Sequence, residues 1–356
     1  MLIVDGHLDL AFGHLGNDRD PRESALTIRE REGDRANEPF RGSCMVGLPE
    51  MRRAGVRVVF PTIFLARRRD GLSVDHPELV ADETAAEAGR QGRRQLDLYH
   101  RLAGDDDSPF RIVGSRAELD AVLADEGPDA PIGLVPLMEG ADPIAAPGDA
   151  AAWFERGVRI VGLAWRSTRY SGGTGEPGPL TPAGRRLVPE LQRAGLILDL
   201  SHAAEESFFE ALDLYERPPI ASHANPRELC PGDRQLSDPM IRRITERGGV
   251  IGVVPFNLML VPDWRDSGRP AVPLRRVAEA IHHVAQAGGS HRHVAIGSDF
   301  DGGFGAEAAP EGLDTIADLP RIADAMADLS FTDEQIFDIL GGNWIRFLRE
   351  NLPAGE

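Results

Sequence analysis

The sequence predicts an α/β protein folded as a closed (β/α)8 barrel of the TIM type, and three observations predict it. Eight short β-branched runs alternate with longer helical patterns from one end of the chain to the other, the signature of βαβ units around a parallel sheet. Several of the runs end in a histidine or a carboxylate, and in a barrel such ends converge on one mouth, the C-terminal face. The length of 356 residues suits one such barrel with insertions.

The runs are Leu2 to His7, Val56 to Phe64, Ile132 to Met138, Val158 to Ala164, Leu196 to Ser201, Pro219 to Ser222, Val250 to Pro255 and Val294 to Ser298. Helical periodicity covers Glu78 to Leu102, Ala117 to Ala124, Thr181 to Arg193, Ala204 to Tyr215, Asp238 to Arg247, Leu274 to Ala287 and Thr315 to Leu329. No repeat, low-complexity tract or linker divides the chain, so residues 1–356 read as a single domain. The polar stretches Arg19 to Phe40 and Gly104 to Ser108 read as surface excursions or lids. Near the C-terminus, residues 332–351 carry Ile336, Ile339, Leu340, Trp344, Phe347 and Leu348 on one stripe, which predicts a helix packed outside the barrel.

Composition narrows the function. A formal net charge of -18 opposes binding to a nucleic-acid backbone or an anionic membrane surface and favours a small partner. All 39 basic residues are arginine. Without lysine there is no Schiff base, no pyridoxal phosphate anchor, no Walker A site and no carboxylated lysine between two metals. Any bridging ligand must then be an ordinary carboxylate. Cys44 and Cys230 are too few and too far apart for a disulfide framework or a CxxC metal site. The N-terminal MLIVDGHLDLAF lacks a basic n-region, and no stretch reaches the about 18 apolar residues of a membrane span. A cytoplasmic location is therefore expected.

The chemistry gathers at the strand ends. His7 and Asp9 stand at i and i+2, which turns both to one face while Leu8 enters the surrounding shell, and imidazole with carboxylate suits a borderline ion such as zinc. Glu139 ends an apolar run before Gly140 and reads either as a helix cap or salt bridge, or as the bridge between two metals. His202 and His223 each follow a strand and a serine, a recurrence better explained by a second ion than by two isolated polar residues. Two metals about 3.5 to 4 Å apart polarise a carbonyl and acidify a shared water. Asp299, after Ile296-Gly297-Ser298, is placed to take the proton of that water and return it to a leaving amine. Asp301 reads as a cap of the following turn. Arg234 reads as a surface salt bridge or as a bidentate grip on a substrate carboxylate.

Taken together, His7-x-Asp9, Glu139-Gly140, Leu200-Ser201-His202, Ser222-His223, Arg234 and Gly297-Ser298-Asp299-Phe300-Asp301-Gly302 resemble the motif series of the membrane (renal) dipeptidase family of zinc metallopeptidases, from residue 3 to about residue 350. The resemblance implies a (β/α)8 barrel of the metal-dependent amidohydrolase kind, usually a homodimer, with two zinc ions. His7 and Asp9 would hold one zinc, Glu139 would bridge, His202 and His223 would hold the other, Asp299 would be the acid and base, and Arg234 would bind the carboxylate of a dipeptide. One position departs: Trp165 stands where the family has a substrate-contacting histidine, and an indole donates one hydrogen bond but does not titrate. Arg166 or the loop Tyr170 to Thr174 is then expected to supply the missing contact.

The leading expectation is a zinc-dependent dipeptidase acting on dipeptides or dipeptide-like amides. The alternatives are an N-acyl amino acid amidase or lactonase on the same site, and a metal-binding homologue without catalysis, against which Asp299 argues. The terminal Asn351 to Glu356 carries no hydrophobic tail, so lipid anchoring is not expected.

Overall fold

A computed structural model describes residues 1–67, 80–81, 84–104, 107–267 and 272–355. Eight parallel strands close into a barrel: β1 (Ile3–Leu8), β2 (Val56–Phe64), β3 (Leu137–Glu139), β4 (Ile160–Gly162), β5 (Ile197–Asp199), β6 (Ile220–Ala221), β7 (Val250–Val253) and β8 (Val294–Ile296). Each pairs with the next, and β8 returns to β1 through Asp5 opposite Ile296. The predicted barrel is thus observed.

The interior is filled by one apolar cluster containing Val4, Val58, Leu137, Ile160, Ile197, Ile220, Val250 and Ala295, one residue from each strand. Residues from eight strands of a closed sheet meet only inside it. Trp344 and Phe347 belong to the same cluster, and the Trp344 indole donates to the Ile296 carbonyl at 2.9 Å. The C-terminal segment therefore plugs the bottom of the barrel, whereas the sequence placed it outside: an amphipathic stripe reports that a face is buried, not what it covers. It is also not one regular helix, because Asp333–Phe337 and Asn343–Asn351 are joined by a π-turn over Asp338–Gly342.

Other expectations are corrected locally. The third run breaks into Ile132–Leu134 and Leu137–Glu139, since Pro136 has no N–H for the ladder. A strand the sequence did not predict, Phe110–Ile112, pairs with the first of these. The first long helix spans Ala85–Leu102, with Thr84 as N-cap, whereas Val80–Ala81 forms a short strand; residues 78–79 at the expected start lie outside the described residues, as do 105–106 of the acidic loop. The segment expected as a helix from Thr315 begins as a 3-10 turn, Ile316–Arg321, before Ile322–Ala327.

The Arg19 to Phe40 excursion contains a helix, Ala25–Glu32, and a 3-10 turn, Gly33–Asn37. It is tied to the mouth by buried charge. Arg19 donates Nε and Nη2 to the two Glu32 oxygens at 2.9 Å each, Arg41 Nη1 donates to Glu32 at 2.9 Å, and Arg19 Nη1 lies 3.2 Å from Asp301. Asp301 in turn accepts from the N–H groups of Met45 (2.8 Å) and Val46 (3.1 Å), so it clamps two segments together and does not cap its own turn. Removing one member of such a network leaves the others as uncompensated buried charge. Glu32→Gln is expected to destabilise the fold by about 3 to 5 kcal/mol, read as a lower urea midpoint; an unchanged midpoint contradicts the role given to this network.

Candidate metal centre and active-site cavity

Six polar residues meet at the C-terminal mouth, each delivered by a strand end: His7 and Asp9 by β1, Glu139 by β3, His202 by β5, His223 by β6 and Asp299 by β8. The register of β1 slips by one residue between Asp5 and Leu8, a bulge at Gly6-His7. Gly6 is required there, because a Cβ would lie 2.7 Å from the Trp344 ring and 2.9 Å from the Ser222 carbonyl. His202 and Asp299 adopt left-handed backbone angles, φ 64° and 59°, which cost roughly 1 to 3 kcal/mol each in a non-glycine residue.

Glu139 is the centre of the cluster. Its Oε2 lies 3.5 Å from His7 Nε2, while its Oε1 lies 3.2 Å from His202 Nε2 and 3.5 Å from His223 Nε2. His7 Nε2 is further 3.7 Å from both Asp9 and Asp299. The two halves of one carboxylate thus face two separate groups of donors. His202 and His223 hold their Nε2 atoms 3.0 Å apart. Nitrogen and oxygen donors around a tetrahedral ion with about 2.0 to 2.2 Å bonds sit about 3.3 to 3.5 Å from one another, close to these spacings. His7 Nε2 is buried and has no hydrogen-bond partner among the described residues, a cost that a bound ion removes. The residues present fit divalent metal.

Electrostatics agree. Burial alone would lower the His7 imidazole, but the Glu139, Asp9 and Asp299 carboxylates outweigh it and push the pKa up to about 10. Burial raises Asp9 to about 6 against the pull of His7, and burial with the neighbouring carboxylates drives Asp299 well above the usual range. Glu139 is also penalised by burial, yet His7, His202 and His223 hold it well below the ordinary value. His202 and His223 are pushed down, chiefly by burial, and are neutral donors. Carboxylates crowded out of water in this way are relieved by cations.

Beside the cluster opens a cavity of about 540 Å³. Arg234 borders it: Nη2 donates to the His223 carbonyl at 2.7 Å, while Nη1 is buried without a partner among the described residues. Trp165 also borders it, edge-on to Phe64 at 5.1 Å and 6.4 Å from the His202 ring. Of the groups expected to make up for the histidine replaced by Trp165, Arg166 and Thr174 line the cavity, whereas Tyr170 is buried and donates to the Ile144 carbonyl. Phe40, at the end of the excursion, also lines the cavity, beside Gly303.

The structure thus brings together all eight residues singled out in the sequence: His7, Asp9, Glu139, His202, His223, Asp299, Arg234 and Trp165. Sequence reasoning missed the groups that support them. Thr62 donates to Asp9. Asp5 accepts from Ser298 N (2.7 Å) and Oγ (2.5 Å), and Asp199 accepts from Ser222 N (2.9 Å) and Oγ (2.5 Å). The repeated signal was present: each serine directly precedes a residue of the cluster, Asp299 or His223.

A parallel barrel with clustered histidines and carboxylates at its C-terminal mouth defines a metal-dependent hydrolase. The model of the membrane dipeptidase family, peptidase family M19, matches residues 1–354, and the chain belongs to that family. A Rhodobacter sphaeroides metallopeptidase, solved with a phosphinate mimic of the dipeptide L-Ala-D-Ala, is 26% identical, with a TM-score of 0.80 and 99% of each chain covered. The dipeptidase AC, a metallopeptidase of family M19, is 26% identical with a TM-score of 0.79, covering 100% of this chain and 99% of its own. An uncharacterized dipeptidase of Schizosaccharomyces pombe is 27% identical over an alignment of 367 positions, gaps included, that covers 99% of this chain and 82% of its own.

In the metal-free protein His7 carries a proton until the pH nears 10, so an ion that takes Nε2 at neutral pH must expel it. Affinity for zinc is accordingly expected to rise with pH toward that value. Titrating zinc into weakly buffered protein with a pH indicator should release protons, fewer from His7→Gln; uptake without release contradicts the assignment.

Proposed function

We propose that this chain is a dinuclear zinc dipeptidase that hydrolyses the amide bond of dipeptides or dipeptide-like substrates. The observation that carries this is the division of Glu139, one oxygen toward His7 and the other toward His202 and His223. His7 and Asp9 would hold one ion, His202 and His223 the other, and Glu139 both. Bound there, zinc supplies Lewis acidity, polarising the scissile carbonyl and acidifying a water.

The protein's own groups do the rest. Arg234 borders the cavity, its Nη1 has no hydrogen-bond partner among the described residues, and it would hold the substrate's terminal carboxylate, which fixes the scissile carbonyl over the cluster. Asp299 has a raised pKa through burial first and then through its carboxylate neighbours, suited to accept the proton of the attacking water and return it to the departing amine. The Trp165, Phe64 and Phe12 rings wall the cavity and exclude water from the reacting bond. The mimic bound to the Rhodobacter relative supports a dipeptide as substrate.

One observation favours a second reading. Among the described residues, the charged side chains lining the cavity apart from Asp9, Glu139 and Asp299 are Arg166, Arg234 and Arg265. These suit an anionic amide whose acyl half is uncharged, so an N-acyl amino acid is the alternative substrate. Assay of L,L-dipeptides, L,D-dipeptides and N-acyl amino acids with zinc-loaded protein separates the two; turnover of N-acyl amino acids alone contradicts the dipeptidase reading.

Asp299→Asn should lower kcat by about 10²- to 10⁴-fold with zinc content unchanged, measured by turnover and elemental analysis together. Retained turnover would remove Asp299 from the mechanism. Arg234→Gln should raise KM roughly 10- to 100-fold for dipeptides with a free carboxylate, the loss of a charged hydrogen bond, and far less for their C-terminal amides. Equal effects on both substrates would show that Arg234 does not read the carboxylate.

A further inference from the structure

Each histidine of the cluster has a second ring nitrogen, and each of these meets a hydroxyl. His202 Nδ1 lies 2.9 Å from Thr174 Oγ1. His7 and His223 share one: Ser222 Oγ is 3.2 Å from His7 Nδ1 and 2.9 Å from His223 Nδ1. Their rings are stacked 3.6 Å apart over it, tilted by 31°. Ser222 is fully buried, so no bulk water competes for its hydroxyl.

A serine hydroxyl has one proton to donate and two lone pairs to offer. Asp199 decides where the proton goes. Its Oδ2 lies 2.5 Å from Ser222 Oγ, and its Oδ1 accepts from the N–H groups of Ser222 (2.9 Å) and Ser201 (3.0 Å). With Oδ1 taken by two N–H donors, Oδ2 accepts the Ser222 hydroxyl, so the Ser222 proton points to Asp199. Toward the rings, Ser222 therefore has lone pairs alone. The remaining neighbour, Ser201 Oγ at 3.3 Å, itself accepts the main-chain N–H of His223.

We propose that Ser222, oriented by Asp199, is a positioning residue that keeps a proton on Nδ1 of both His7 and His223, so that each ring faces Glu139 with Nε2 and binds metal there, His7 giving up its Nε2 proton as the ion enters. The inference rests on the dinuclear reading above and adds to it a shared origin for the orientation of both donor groups. The opposite tautomer of either ring would set a nitrogen lone pair against a hydroxyl oxygen that has no proton left to give. One serine thus couples the two halves of the centre, since His7 belongs to one and His223 to the other. Thr174, on the cavity wall, serves His202 alone.

Protein labelled with 15N in its histidine rings, examined by NMR without metal and with zinc, reads the tautomers directly, with His7 and His223 assigned by single-site variants. Both should keep a protonated Nδ1 in both states and bind zinc through Nε2. Either ring metallated at Nδ1 overturns the proposal. Ser222→Ala, confirmed folded by circular dichroism, should bind zinc about 10- to 100-fold more weakly, and its His7 and His223 signals should show mixed tautomers. Affinity within twofold of the parent, with uniform tautomers, assigns Ser222 no positioning role. If Ser222→Ala does not fold, the tautomers of the unaltered protein still decide. Parent protein that takes up no zinc overturns the dinuclear reading itself, and the proposal with it; normal uptake with unaltered Ser222→Ala behaviour overturns the proposal alone.

Discussion

Three imidazole rings carried by three different strands turn their Nε2 atoms on one buried carboxylate, and the rest of the mouth is arranged around that contact. Glu139 is 7% exposed, and its two oxygens lie 3.2 to 3.5 Å from His7, His202 and His223. An arrangement this dense is possible because a parallel barrel points all its carboxyl ends at one place. It also sets demands on the backbone. His202 and Asp299 take left-handed angles that their side chains disfavour, and β1 carries an extra residue between Asp5 and Leu8. Such strain persists only where the surroundings over-determine it.

The surroundings here are layers of buried polar contacts. Asp5 clasps Ser298 beside Asp299, and Asp199 clasps Ser222 beside His223. Outside these, the Arg19, Glu32, Arg41 and Asp301 network locks the excursion onto the loop that presents Asp299. These layers are held by hydrogen bonds and ion pairs, and the innermost leaves His7 Nε2 without a partner among the described residues. At the centre of the cluster that unsatisfied nitrogen lies where a cation fits.

Much of this was legible in the sequence because the relevant signals are local. A β-branched run ending in His7, Glu139 or Asp299 identifies a strand and its functional end at once, and the missing lysine directs attention to Glu139. What stayed hidden depends on contacts between residues far apart in the chain. Nothing near Ser222 announces that its hydroxyl meets His7, 215 positions away. Arg19 lies in a polar stretch that reads as a surface excursion or lid, and Asp301 reads as a turn cap, because their pairing across the mouth is tertiary. Trp344 showed its burial through the apolar stripe, but only the closed barrel shows that it fills the bottom.

Substrate choice is set by the cavity wall, where Trp165, Arg166 and Arg265 stand beside the cluster and Arg234 hydrogen-bonds the His223 carbonyl. The cluster itself is the central claim. Anomalous diffraction at the zinc edge from crystals of the zinc-loaded protein tests it most directly. The account predicts two peaks about 3.5 to 4 Å apart, one beside His7 and Asp9, the other beside His202 and His223, with Glu139 between them. A single peak, or two peaks not joined by Glu139, would contradict it.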